Sequence, residues 1–343
     1  MSVTITEIAK KANVSPATVS RVFNKKGNVS EETKNRIFKI AEEMNFKPRK
    51  YEKKQDSVMI RNIAVINRFS DVMGNIFYSQ VMGGIEKELQ EFEDEYNLIF
   101  KTIDDKVSDF KKVKKFIKKQ EIKGIILVGY GIDKKFIKKL HNLDKPLVLA
   151  DNNFYENKIN CVVNNNLLGA KKIVNFLIKC GHQKIGFLSG PREHLSLMER
   201  YRGYREALEE NNIKINKDFI RYIDSSSLVV NTGYKVGVQY INNLNKFPTA
   251  LFAANDELAL GFIKAALDND ISVPEDLSVV GFDDIQMSRH FSPSLTTVRI
   301  FKGEMGKYVA RRLNKLINNE DNLPIKITIP IKLIIRKSVN KIN

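Results

Sequence analysis

The sequence has few of the residues on which disulfide-linked, metal-bound or membrane-spanning folds depend. Its 343 residues include two cysteines and four histidines. Cys161 and Cys180 cannot form a disulfide framework, and so low a cysteine content favours a reducing compartment. The histidines show no metal-ligand spacing, the N-terminus lacks the apolar core of a signal peptide, and the longest apolar runs are too short to cross a bilayer. We therefore expect a cytoplasmic protein with no metal, no cofactor and no membrane partner.

Positive charge is what the sequence has in excess. Lys and Arg number 57 against 40 Asp and Glu, a net charge of +17. Such an excess suggests a polyanionic partner, usually nucleic acid or an anionic membrane surface. Residues 1–60 hold 13 basic and 7 acidic residues, whereas residues 101–140 hold 13 lysines and 5 acidic residues. Since nearly half of the excess lies in the second stretch, a DNA-binding function has to be argued from motifs and not from charge.

The first fifty residues predict three short helices. Thr4 and Glu7 have the spacing of a capping box, which starts a helix over residues 5–11. A second helix is predicted over residues 16–23 and a third after Ser30, each preceded by a serine suited to the N-cap position. The apolar residues predicted to face inward are Ile8, Ala9, Ala12, Val14, Val19, Val22, Ile37, Ile40, Ala41 and Met44. Two short helices joined by a tight turn and braced by a third predict a helix-turn-helix.

The second helix leaves a small polar and basic face exposed, made of Ser15, Pro16, Ala17, Ser20 and Arg21. In a helix-turn-helix these N-terminal residues reach base edges in the major groove, and the helix N-termini meet phosphates. Arg21 is the candidate for a bidentate contact with guanine, and Ala17 offers an apolar contact to a thymine methyl. The alternative is a small helical cap with a basic surface and no role in DNA binding.

The run TITEIAKKANVSPATVSRVFN, residues 4–24, and the run VSEET, residues 29–33, resemble the DNA-binding head of the lactose/galactose repressor family of bacterial regulators. Asn13 departs from the glycine that the family usually has, but both residues suit the turn. The resemblance implies that the second helix reads operator bases and that residues beside it contact phosphates. The DNA-binding candidates are Thr4, Ser15, Pro16, Ala17, Thr18, Ser20, Arg21 and Asn24.

The head is predicted to span residues 1–48, and a charged linker is predicted over residues 49–60. In many members of the family this stretch is a hinge helix whose leucine wedges into the minor groove. Gln55 stands about where that leucine would be, and the linker has no Ala-Arg-x-x-Leu pattern. We therefore predict a flexible basic tether that is attracted to phosphates, the alternative being a linker with no DNA role.

From residue 61 onward, short β-branched runs alternate with amphipathic stretches. The predicted strands are residues 63–67, 98–102, 124–128, 146–150, 161–163, 184–189, 220–223, 250–253 and 278–281, and the predicted helices include residues 79–95, 109–119, 167–179, 198–211, 229–243 and 257–269. This alternation predicts parallel sheets with helices on both faces. We expect two doubly wound subdomains within a core of residues 61–343, the first over 61–163 and 296–322 and the second over 164–295 and 323–340.

Polar residues recur just past the predicted strand ends, where open parallel sheets bind ligands. Carboxylates and amides beside aromatic rings are what a sugar site needs, because sugar hydroxyls pair with such oxygens and the pyranose face packs on a ring. Taken singly, each of these residues has an alternative role as a helix cap or turn former. The recurring residues are Asn75 and Phe77, Asp151, the segment 190–200 with Arg200, the pair Asn255 and Asp256, and the pair Asp283 and Asp284.

The resemblance to the lactose/galactose repressor family extends through the core, in the segments 190–204, 252–256 and 280–285. It implies a bilobal core like that of periplasmic binding proteins and a small effector, for which a free sugar, a sugar phosphate and a partner protein remain alternatives. The polar linker and the run TVRI at residues 297–300 are most similar to the subgroup that controls β-galactosidase or galactose genes, which implies galactose or a galactoside. Asn165 departs from the aspartate that the family usually has. The effector-binding residues implied by the strand ends and the resemblance are Asn75, Phe77, Asp151, Ser196, Arg200, Asn255 and Asp283.

Two other classes of protein compete with a regulator. One is an α/β enzyme that binds a dinucleotide. The run GYG at residues 129–131 follows a strand but lacks the third glycine of the dinucleotide fingerprint, and the sequence has no recognisable catalytic constellation, so an enzyme is disfavoured. A sugar-binding protein without operator binding is opposed by the head. We therefore expect no catalytic residues and a repressor of a carbohydrate-utilisation operon. Its expected partners are operator DNA, a sugar effector and a second copy of the chain in a homodimer, with a tetramer of four copies as the alternative.

Overall fold

A computed structural model describes residues 4–23, 29–44, 46, 60–68, 76–103, 107–129, 132–154, 159–192, 194–223, 228–242 and 247–342. The chain divides into two compact units, Met1–Met59 and Ile60–Asn343, which we call the head and the core. The predicted tether, apart from Ile60, lies outside the described residues. Within the described ranges, no helix is both long and apolar enough to cross a membrane.

The head contains the three predicted helices, α1 (Ile5–Ala12), α2 (Pro16–Phe23) and α3 (Glu31–Glu43). The predicted capping box forms at Thr4, and Asn13 ends α1 in the left-handed conformation with φ 53°. Packing among the three helices buries one small apolar cluster. Its buried members are Ile8, Ala9, Ala12, Val19, Val22, Ile37 and Ala41, with Val14, Ile40 and Met44 partly buried beside them. The predicted inward faces of the head are confirmed.

The core alternates strands and helices as predicted. Its strands are β1 (Arg61–Asn67), β2 (Tyr96–Thr102), β3 (Gly124–Val128), β4 (Leu147–Ala150), β5 (Asn160–Asn164), β6 (Ile185–Ser189), β7 (Ile220–Tyr222), β8 (Ala250–Ala253), β9 (Ser278–Val280), β10 (Thr297–Ile300), β11 (Lys326–Ile329) and β12 (Ile331–Ile334). Its helices are α4 (Ile76–Leu89), α5 (Val107–Lys119), α6 (Lys134–His141), α7 (Asn166–Lys179), α8 (Leu195–Glu210), α9 (Val230–Asn242), α10 (Asp256–Leu267), α11 (Met287–His290) and α12 (Lys302–Ile317). The sequence prediction did not include α6, α11, α12 or the last three strands.

Two parallel sheets organise the core into two lobes. The first has six strands in the order β11-β5-β4-β3-β1-β2, and the second has four in the order β7-β6-β8-β9. Each sheet is covered on both faces by its own pair of apolar clusters. In each sheet the strand order reverses beside the first strand, which is the arrangement of a doubly wound fold. The predicted fold class is therefore confirmed.

The last part of the chain is divided between the lobes differently from the prediction. The sequence placed residues 296–322 in the first lobe and 323–340 in the second. β11 instead pairs in parallel with β5 and so extends the first sheet. β10 forms an antiparallel pair with β12, and its Val298 and Ile300 pack in an apolar cluster of the second lobe. Pairing with distant strands, and not the local pattern, decides which lobe each strand joins.

Candidate functional site

The exposed face of α2 contains the residues predicted to read DNA. Pro16, Ala17 and Arg21 are exposed, and Thr18 and Ser20 are partly buried. Across the described residues of the head, Arg21 forms no ion pair. Its guanidinium is therefore available to an external acceptor, as a base contact requires. Asn24, the eighth DNA-binding candidate, lies outside the described residues.

Two of the DNA-binding candidates, Thr4 and Ser15, also cap the N-termini of helices. Ser15 Oγ accepts from the Thr18 backbone N–H at 3.1 Å and lies 2.9 Å from Thr18 Oγ1. Thr4 donates its backbone N–H to the Glu7 carboxylate at 2.7 Å, and this hydrogen bonding lowers the pKa of Glu7. These caps fix the N-termini of α1 and α2, where exposed backbone N–H groups and the helix dipole favour an anion.

In the core, the predicted effector-binding residues collect at the carboxyl ends of the strands of both lobes. Asp151 follows β4 of the first lobe, whereas Arg200 lies on α8 and Asp283 follows β9 of the second. Asp151 has φ 55° and Asp283 has φ 111°, backbone angles that residues other than glycine rarely adopt. Backbones of this kind concentrate at binding and catalytic sites, because only the surrounding structure holds them in place.

Arg200 is the centre of this group and is 5% exposed. Its Nε donates to Asn166 Oδ1 at 2.9 Å, and its Nη1 donates to the Ala254 carbonyl at 2.5 Å. Its Nη2 lies 3.1 Å from Asp283 Oδ1 in an ion pair that lacks hydrogen-bond geometry. The guanidinium also stacks over the ring of Phe282, with its carbon 3.9 Å from the ring centroid. Arg200 therefore joins α7, the end of β8 and the loop after β9.

A hydrogen bond between Ser196 and Asp151 connects the two lobes. Ser196 Oγ, on α8, donates to Asp151 Oδ1 at 3.1 Å. Burial raises the pKa of Asp151 to about 7, although Arg200 and the Ser196 hydroxyl act in the opposite direction. Burial also lowers the pKa of the neighbouring His194 to about 3, so this imidazole is neutral at ordinary pH. The site thus contains a carboxyl group whose charge changes near neutrality.

A second buried carboxyl group, Asp256, supports the loop that carries Asp283. Asp256 is fully buried and accepts from Ile285 N at 2.9 Å, Ser288 Oγ at 2.7 Å and Thr297 Oγ1 at 2.5 Å. Burial raises the pKa of Asp256 to about 7. These contacts hold the loop after β9 against β10, which fixes the position of Asp283 beside Arg200.

Lys302, the first residue of α12, makes the next contact with the Asp283 loop. It is 5% exposed, and its ammonium donates to the Asp283 carbonyl at 2.6 Å. Burial lowers the pKa of Lys302. Since α12 packs in the first lobe and the Asp283 loop belongs to the second, this bond is a further link between the lobes.

The three remaining effector-binding candidates are Phe77, Asn255 and Asn75, of which the structure describes the first two. Phe77 lies at the start of α4 and packs against apolar clusters of both lobes. Asn255 caps α10 by accepting from Leu258 N at 2.9 Å and donates to the Leu228 carbonyl at 3.0 Å, so its amide is already used within the protein. Asn75 lies outside the described residues.

Two residues of the cluster, Asn166 and Lys302, were not predicted, and Asp256 was predicted as a polar strand-end residue but not as an effector-binding candidate. Asn166 follows β5 within the run VNNN, a polar run at the end of an apolar strand, and that pattern is the signal that would have identified it. Asn165, where the family usually has aspartate, caps α7 by accepting from Leu168 N at 3.2 Å. An amide oxygen serves this purpose as a carboxylate does, without the charge.

The bilobal core and the helix-turn-helix head together define a class of DNA-binding regulator, and comparison with known proteins identifies the family. Residues 4–49 match the model of bacterial regulatory proteins of the lacI family, and residues 174–339 match a periplasmic binding protein-like domain. The chain is 30% identical over 322 residues to the HTH-type transcriptional regulator RegA of Clostridium saccharobutylicum, with 94% of both chains covered. The chain belongs to the LacI family.

Two further similarities span nearly the whole chain. The ribose operon repressor of Haemophilus influenzae is 29% identical over 339 residues, with 98% of each chain covered. A solved structure of the Lac repressor bound to ONPG in the repressed state matches with a TM-score of 0.71 and 26% identity, covering 99% of this chain and all of that one. The protein is a DNA-binding transcriptional regulator and not an enzyme, so the two competing interpretations of the sequence are wrong.

Proposed function

We propose that this regulator represses a carbohydrate-utilisation operon and that a small sugar, galactose or a galactoside, controls its affinity for the operator. A homodimer places two heads in successive major grooves of a near-palindromic operator. A sugar bound between the lobes changes the angle between them, the two heads lose their matched spacing, and operator affinity falls. Repression is the sign of control that the relatives' names favour.

One observation supports the effector part above the others. Asp151, Ser196, Arg200 and Asp283 come from both lobes and meet through buried hydrogen bonds and an ion pair. A ligand that inserts between Asp151 and Ser196 exchanges an interlobe hydrogen bond for its own, which couples binding to the arrangement of the lobes. The two cations of this cluster, Arg200 and Lys302, both donate hydrogen bonds to protein groups. Since a phosphate needs cations that can pair with it, this arrangement favours a neutral sugar over a sugar phosphate.

The test of the DNA part uses Arg21→Ala with Arg36→Ala as its matched control. Arg36 is also an exposed arginine of the head, but it lies on the bracing helix α3. Fluorescence anisotropy on the promoter beside the protein's own gene should show a loss of about 1–3 kcal/mol for Arg21→Ala, confined to one base position of each half-site. Arg36→Ala should bind as the wild type does. Equal losses for the two variants would show that α2 does not read bases.

The test of the effector part is a thermal-shift screen of the full-length protein with galactose, lactose, glucose, ribose and cellobiose. We expect a galactoside to raise the unfolding temperature and, in the anisotropy assay, to release the promoter. A shift with ribose or cellobiose alone would replace the proposed sugar. No shift with any of them would exclude this class of effector.

A further inference from the structure

Two buried polar side chains at strand ends have no partner in the protein. Asn164 is the last residue of β5 and Ser189 the last of β6, and each is 1% exposed. Among the residues that the structure describes, none hydrogen-bonds to Asn164 Oδ1, Asn164 Nδ2 or Ser189 Oγ. Burying such groups without partners opposes folding, and native proteins rarely do so unless something else occupies the missing positions.

Both residues end a parallel strand, and Ser189 also lies where the strand order of its sheet reverses. The Asn164 carbonyl accepts from Asn166 Nδ2 at 3.4 Å, and Asn166 in turn holds Arg200, so Asn164 adjoins the buried cluster at the crossover between lobes. β6 lies between β7 and β8, so Ser189 stands at the position where the order of the second sheet reverses. Ligands of open parallel sheets bind at the carboxyl ends of the strands beside this reversal.

A second asparagine of β5 shows that the missing partners are specific to this end of the strand. Asn160 lies on the same face of β5 as Asn164, because side chains alternate along a strand. It is 8% exposed, and its Oδ1 accepts from Arg312 Nε at 2.7 Å and from Ile325 N at 3.0 Å. One strand therefore carries two buried asparagines, of which only the one beside the Arg200 cluster has a side chain without hydrogen bonds among the described residues.

We propose that Asn164 and Ser189 bind the effector, one at the edge of each lobe, by hydrogen bonds to the hydroxyl groups of a neutral sugar. The asparagine amide has a donor NH2 group and an acceptor oxygen, and the serine hydroxyl can donate and accept. A sugar hydroxyl, which also donates and accepts, can therefore hydrogen-bond to either side chain. A sugar held by both residues bridges the lobes and so contributes to the change in their arrangement. This inference rests on the proposed sugar effector and adds the residues that bind it.

The experiment compares full-length wild type with Asn164→Leu, Ser189→Ala and the control Asn160→Leu. The unfolding temperature of each variant is measured without ligand. Its sugar affinity is measured by titration calorimetry, with whichever sugar of the screen raises the wild-type unfolding temperature. Asn164→Leu should weaken sugar binding about ten- to a hundredfold and unfold at the wild-type temperature or about 2–4 °C above it. Ser189→Ala should weaken binding about tenfold and leave the unfolding temperature unchanged.

Asn160→Leu should behave in the opposite way, with wild-type sugar affinity and an unfolding temperature lower by roughly 5 °C or more, because Arg312 and Ile325 lose their acceptor. Wild-type affinity in both Asn164→Leu and Ser189→Ala would overturn the proposal. So would an Asn164→Leu variant that unfolds as easily as Asn160→Leu while Ser189→Ala binds normally. If the wild type responds to no sugar, the effector proposal fails and this inference fails with it.

Discussion

Arg200 illustrates how a residue's role depends on the partners that the fold supplies. The sequence predicts Arg200 as an effector-binding residue, whereas in the structure its Nε and Nη1 donate to protein groups and its Nη2 pairs with Asp283. A buried guanidinium needs such partners, since an uncompensated charge in the interior is costly. Arg200 therefore positions the loop that carries Asp283 in addition to any contact with a ligand.

Replacement of Arg200 should accordingly destabilise the core. Arg200→Met leaves the buried Asn166 side chain and the buried Oδ1 atom of the partly buried Asp283 without their partner, and should lower the free energy of unfolding by about 3–5 kcal/mol in urea titrations. Arg202→Met, two residues along α8, removes a solvent-exposed ion pair with Glu206 and should cost at most about 1 kcal/mol. Similar small losses for both variants would show that Arg200 is not a structural residue.

Asp151 should make stability depend on pH near neutrality. Burial raises its pKa from the ordinary value of 3.8 to about 7, so the folded state keeps a proton that the unfolded chain releases. The stabilisation is complete below about pH 4 and is lost as the pH rises through 7. Asp151→Asn should therefore gain stability relative to wild type between pH 5 and pH 8 in urea titrations. The exposed Asp270→Asn should track wild type, and parallel curves for Asp151→Asn would contradict the prediction.

Local residue patterns were sufficient for some parts of the sites and not for others. The caps at Thr4 and Ser15 join residues three apart, so the sequence alone predicts them. The partners of Arg200 lie 34 and 54 residues away along the chain, at Asn166 and Ala254. The family resemblance predicts Arg200 as an effector-binding residue, but only the packing of α7, α8 and β8 decides what its donors contact.

At the scale of elements, α12 shows why a helix of the core escaped prediction. Its sequence KGEMGKYVARRLNKLI contains two glycines within one turn, which weakens a helical pattern. The same glycines allow α12 to cross α4 closely. A Cβ at Gly306 would overlap the carbonyl oxygen of Val81, and one at Gly84 would overlap that of Gly303. Tertiary packing therefore requires the residues that conceal the helix locally.

This crossing predicts opposite effects for two adjacent glycines of α4. Gly84→Ala places a methyl group against backbone of α12 that has no room to shift, and should destabilise the core by about 1–3 kcal/mol. Gly83 is exposed and has nothing within 4 Å of an added Cβ, so Gly83→Ala should stabilise the helix by about 0.5–1 kcal/mol. Urea titrations of the two variants measure both. Equal effects would show that the helices do not cross this closely.

At the scale of the whole molecule, the two lobes are assembled from segments that cross between them more than once. β11 and β12 have similar sequences, KITI and IKLI, separated only by Pro330, yet the first joins the first sheet and the second pairs with β10. Nothing in either tetrapeptide indicates its lobe, because both are short apolar strands. The general bilobal fold was predictable from the alternation of strands and helices, whereas this division of the C-terminal segments was not.

The proposed control of DNA binding by a sugar has to be reciprocal. If the sugar lowers operator affinity by a given factor, saturating operator must lower sugar affinity by the same factor, since both follow from one coupling free energy. Calorimetric titration of the sugar with and without the promoter fragment measures the effect of DNA on sugar affinity, and anisotropy with and without sugar measures the effect of sugar on operator affinity.

The control variant Arg21→Ala should keep the wild-type sugar affinity in the absence of DNA, because Arg21 belongs to the head and the proposed sugar site to the core. At promoter concentrations that saturate only the wild type, the sugar affinity of Arg21→Ala should not fall. A sugar affinity that is the same with and without bound operator would mean that sugar binding in the core and DNA binding by the heads are not coupled.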